Sequence, residues 1–185
     1  MSEEILNDKV DEKNLITDET ILNLKPLTFV TITGNDIVEF IHLLCQKVLR
    51  LAKEKNESRE IAQAVNLDTF EVLSPVFGDS KSVNIDRLVS HMRGTEYAFV
   101  VMHNHPSGSH FSRKDIKTFV DAENMTILIV IGNNGDIYIL EKTRQLSINE
   151  LLSVRKSLID WKNNNINFQD VIEQIGAFGI VYSEI

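Results

Sequence analysis

Cysteine is almost missing from this 185-residue chain: Cys45 stands alone, so no internal disulfide can form and a disulfide-stapled secreted scaffold is excluded. Long apolar runs are missing too. None, 97–102 and 127–131 included, comes near the ~20 residues that a membrane helix needs, and residues 1–11 carry acids where a signal peptide carries bases. No cluster of basic residues stands out among 19 Lys+Arg, which are outnumbered by 27 Asp+Glu to give a net charge of −8. General binding to a phosphate backbone is therefore disfavoured. Internal repeats and low-complexity linkers are also lacking. These absences point to a cytoplasmic protein that neither enters a membrane nor tracks nucleic acid.

What is present is the balance of a globular protein, with 43% hydrophobic and 25% charged residues. A chain of this length buries roughly two-thirds of its unfolded surface, so folding requires no structural metal and any bound metal is expected to serve function. Much of the acidity is local. Residues 1–20 hold seven acids against Lys9 and Lys13, leaving −3 for the rest. With no aromatics and only scattered aliphatics, residues 1–25 read as a solvated, flexible tail.

From Pro26 onward the pattern is that of ordered structure. Residues 27–33 are rich in β-branched and aromatic side chains, which predicts a strand ending at Gly34. Asp36 with Glu39 predicts the start of a long helix carrying His42 and Cys45, and its apolar spacing persists to the charged stretch 53–57. Runs 60–65 and 70–76 predict two short strands around a turn, and 85–92 a short amphipathic helix ending before Gly94. A buried strand at 97–102 is followed by a helix at 113–122 and a second buried strand at 125–131. Asn134-Gly135 turns the chain into 137–140. Ser147 with Glu150 opens a helix to about Trp161, 168–175 forms another, and 178–182 adds an edge strand or covers the core. Strands and helices in this order predict an α+β fold, a mixed sheet packed by helices.

One segment carries chemistry: His103-Asn104-His105-Pro106-Ser107-Gly108, continuing to Ser112 and Asp115. Strand side chains alternate, so His103 and His105 point the same way at the end of their strand. Pro106 and Gly108 turn the chain, and the first turn of the next helix brings Asp115 back toward the strand end. Two imidazole nitrogens and one carboxylate oxygen suit zinc and leave a tetrahedral position open, as a catalytic site requires. Ser112 and Asp115 also fit the pattern of a helix capping box, which needs no metal.

Together these residues resemble the signature of the JAB/MPN (JAMM, MPN+) zinc metallopeptidase family, in which His-x-His and Ser-x-x-Asp supply the zinc ligands and a transition-state serine. The string from His103 to Gly108 is similar to that of RadC-like members. The resemblance covers roughly 27–141 in element order and implies a JAB/MPN-like domain at 26–145 with a C-terminal helical extension at 146–185. One departure is visible: six residues separate His105 from Ser112, where the family more often has seven. The resemblance further implies a glutamate on an earlier strand as general base. Glu60 matches by position, with Glu57 and Glu71 as rivals. His110 has no counterpart and reads as a loop residue.

The function so implied is a Zn2+-dependent hydrolase of a peptide or isopeptide bond, with a protein or peptide substrate, ubiquitin-like conjugates among them. Metal ligands would be His103, His105 and Asp115, and catalytic residues Glu60 and Ser112. A catalytically silent MPN scaffold and a RadC-like DNA-associated role are the alternatives. The intact ligand set opposes the first, and the negative charge with no basic segment opposes the second.

Overall fold

The computed structural model describes residues 8–185. Among these residues six strands form one mixed sheet in the order β2-β1-β3-β4-β5-β6. They are β1 (Ile61–Asn66), β2 (Val76–Phe77), β3 (Phe99–His105), β4 (Met125–Gly132), β5 (Ile137–Lys142) and β6 (Ile180–Glu184). Only β3 and β4 run parallel. A parallel pair needs a crossover, and helix α4 (Arg113–Asp121) supplies it. The sheet is thus an α+β structure, with helices on both faces.

Alternation sorts the strand residues between two cores. On one face Val100, Met102, Ile127, Ile129 and Ile139 pack against Ile41, Leu44, Val48 and Leu49 of α2 (Asn35–Lys55). On the other, Phe99, Val101, Leu128 and Leu140 pack under α3 (Asp86–Met92), α4, α5 (Ile148–Lys162) and α6 (Phe168–Gly176). His103 and His105 continue the Phe99–Val101 face and so rise on the α4 side, whereas Asn104 points toward α2. Among the described residues no helix is long and apolar enough to cross a membrane.

The acidic N-terminal segment departs from the expected tail. Residues 1–7 lie outside the described residues, but from Asp8 onward the chain is anchored at intervals: Ile16, Ile21 and Leu24 are buried beside α2, and Thr17 caps a short helix, α1 (Asp18–Leu22). Each buried aliphatic contributes ~1.5–3 kcal/mol, enough to hold an otherwise polar segment down. Asp8 adds an ion pair to Arg59 at 2.8 Å and accepts the Ser80 N–H at 2.8 Å.

The expected strand at 27–33 does not form. Its backbone finds a side chain in place of a sheet edge: the fully buried Glu141 carboxylate accepts Val30 N–H, Thr31 N–H and Thr31 Oγ1–H at 2.7–3.0 Å. The expected cap at Asp36 is also replaced, since α2 starts two residues earlier behind Gly34, whose position supplies no side-chain cap. The run 70–76 contributes one bridge, Val65 to Val72, ahead of β2, because Phe70 turns the chain at φ +60°. At the other end β6 pairs with β5, so the C-terminal residues join the main sheet beside the helices of the extension.

Candidate metal centre

Strand β3 ends at His105 and helix α4 begins behind Ser112 as its N-cap, so the loop between them sets three donors face to face. His103 Nε2 and His105 Nε2 are 3.0 Å apart. Asp115 Oδ1 lies 3.3 Å from the first and Oδ2 lies 3.5 Å from the second. Ligand atoms of all three residues fall within 4.8 Å of one another, and both imidazoles are buried. The three residues are therefore placed to hold a metal ion.

The surroundings prepare these donors. His105 Nδ1 is 2.9 Å from the Ser109 carbonyl, which only accepts, so Nδ1 carries a proton and Nε2 is the nitrogen turned toward His103 and Asp115 to meet a cation. Gly108, at φ +70°, closes the turn with its N–H on the His105 carbonyl. His103 Nδ1 is buried and has no hydrogen-bond partner among the described residues. The capping box and the ligand set coincide. Asp115 Oδ2 accepts Ser112 N–H at 2.7 Å while Ser112 Oγ accepts Asp115 N–H at 3.2 Å, which fixes the carboxylate beside the imidazoles.

Glu60 immediately precedes β1, and the antiparallel pairing of Ala62 with His103 brings it to the histidine end of the sheet. It is 5% exposed and shares a cleft of about 440 Å³ with His105, Ser112 and Asp115. Ser112 is solvent-exposed at its rim, and since its oxygen takes up the helix N–H, its hydroxyl proton remains available to the cleft. Of the rivals, Glu57 is exposed and lies 3.8 Å from Arg59. Glu71 is exposed at the far end of β1, beside Arg87 and His91.

Two buried asparagines escaped the sequence reading. Asn104, between the histidines but on the opposite face, accepts Ile61 N–H at 2.8 Å and donates to the Arg59 carbonyl at 3.2 Å. It also donates to Asn133 Oδ1 at 2.8 Å, and Asn133 in turn donates to the carbonyls of Ser58 and Asn14. The alternation that put His103 and His105 together also turned Asn104 inward; that a polar side chain faced the core was the signal.

Electrostatics at the cleft are tightly linked. Burial raises the Asp115 carboxyl, but the adjoining imidazoles outweigh it and hold the group well below the usual carboxylate range. Burial lowers His105, and its contact with Asp115 more than reverses this, so the imidazole is raised. Glu60 is raised, chiefly by burial, with the neighbouring histidines only partly offsetting it.

His110 faces away from this cleft. Its ring stacks on Phe168 at 3.7 Å, edge-on to Tyr138, whose hydroxyl donates to the Gly108 carbonyl. The C-terminal extension thus buttresses the loop that carries the site. His42 contacts Gln46 at 3.3 Å, and Cys45 is a buried free thiol. In comparison with known proteins, the chain matches no family model, no curated protein and no solved structure.

Proposed function

We propose that the protein is a zinc-dependent hydrolase of the JAMM type that cleaves a peptide or isopeptide bond, ubiquitin-like conjugates being one substrate class, in the cytoplasm. The observation that carries this reading is the convergence of His103, His105 and Asp115, the last two lining a cleft that also holds the buried Glu60 carboxylate and the Ser112 hydroxyl. Two imidazoles and one carboxylate form a donor set that zinc favours, and three protein ligands leave room for substrate. Zinc held there supplies Lewis acidity for a carbonyl and for an attacking water.

The chain's own groups supply the proton transfers. Glu60, with its pKa raised by burial, takes a proton from water and returns it to the leaving nitrogen. Ser112 donates its hydroxyl proton to the developing oxyanion, its oxygen being fixed by Asp115 N–H. Glu60→Gln tests the assignment because it preserves shape and ligands. In the zinc-loaded protein acting on isopeptide-linked and C-terminally extended ubiquitin-like fusions, it should lower the rate by ~10²- to 10⁴-fold. Undiminished hydrolysis by that variant would remove Glu60 from the chemistry.

A further inference from the structure

A second groove, of about 630 Å³, lies between α4 and α5. Ser112 and Lys114 line both this groove and the metal cleft, so the two adjoin. Its floor is aliphatic, with buried Leu158 and Ile159, the latter 58% exposed. Its walls are basic: Arg113, Lys114 and Lys117 come from α4, and Arg155 and Lys162 from α5. Five cations meeting on one surface stand out in a chain of net charge −8.

Asp121 accounts for two of them, pairing with Lys117 at 2.7 Å and Arg155 at 2.8 Å. Among the described residues, Arg113, Lys114 and Lys162 form no ion pair; Arg113 rests over the Trp161 ring at 5.8 Å. Their aliphatic stems extend the apolar floor while their charges ring it.

We propose that this groove binds an acidic, aliphatic stretch of the substrate polypeptide and leads it to the metal cleft. The inference rests on the hydrolase reading and adds a substrate class to it. Apolar side chains would lie on Leu158 and Ile159, with carboxylates against the unpaired cations. Nucleic acid fits the same charges less well, because the floor offers no aromatic face on which bases stack.

Fluorescence anisotropy on the zinc-loaded protein tests this with two labelled short peptides, one alternating leucine with glutamate and the other leucine with lysine. The acidic peptide should bind roughly tenfold tighter or better, and less tightly as salt is raised. The double variant Arg113→Glu, Lys162→Glu should abolish that preference, and Ile159→Ser, at an exposed position, should weaken binding a few-fold without disturbing the fold. Equal binding of the two peptides, persistence of the preference in the double variant, or tighter binding of a single-stranded oligonucleotide would overturn the proposal. The groove is built by helices and not by the metal, so the zinc-free protein should show the same preference. Peptide preference without zinc binding would therefore refute the hydrolase reading alone, while zinc-dependent hydrolysis without the preference would refute the groove alone.

Discussion

Asn104 grips the backbone on both sides of Glu60, accepting Ile61 N–H at 2.8 Å and donating to the Arg59 carbonyl at 3.2 Å. One residue between the two histidines thereby fixes the carboxylate across the sheet. Asn104→Ala should leave zinc content intact, cost about 1–3 kcal/mol of stability, and lower kcat roughly 10- to 100-fold with a smaller change in KM. A kcat equal to wild type, with only the stability loss, would reduce Asn104 to a purely structural role.

The two serine capping boxes provide an internal control. Ser112 caps α4 at the cleft and Ser147 caps α5 away from it, each reciprocated by an acid three residues on. Alanine at either should cost ~1 kcal/mol in denaturant unfolding. Only Ser112→Ala should lose hydrolysis beyond that, by ~10²- to 10³-fold, as expected for removal of one oxyanion donor. Equal activity in the two variants would place oxyanion stabilisation elsewhere.

How far the sequence alone reached follows from which residues carried local information. The facing of His103 and His105 was readable because strand alternation is a property of the segment itself, and the Ser112 and Asp115 pair because capping is local. Glu60 was favoured over Glu71 through the resemblance alone, and the register supplies the physical reason: Ala62 opposite His103 puts one glutamate at the site, while Val65 opposite Val72 leaves the other at the far end. The missing strand at 27–33 was illegible, since its partner is a carboxylate 110 residues away. In the acidic segment, Ile16, Ile21 and Leu24 looked scattered because their common face exists only against α2.

Lys142 predicts a pH dependence of stability. It is 6% exposed, donates to the Ala122 carbonyl at 2.7 Å, and burial lowers its pKa from 10.5 to about 8. Below pH 8 the folded state bears the full cost of the buried charge, on the order of 3 kcal/mol. From there to pH 10.5 the unfolded state binds more protons, so stability rises with pH. Lys142→Met should remove that rise, giving a stability advantage over wild type that shrinks across the same range, less about 1 kcal/mol for the lost hydrogen bond. Parallel denaturation profiles for the two proteins across that window would show that Lys142 does not titrate there.

Metal content of the purified protein decides whether His103, His105 and Asp115 together hold the zinc proposed for them. Elemental analysis should find about one zinc per chain in the wild type and little in His103→Ala or Asp115→Ala, and circular dichroism should show the variants still folded, since the core does not depend on the ion. The same zinc content in the wild type and both variants would contradict the proposal.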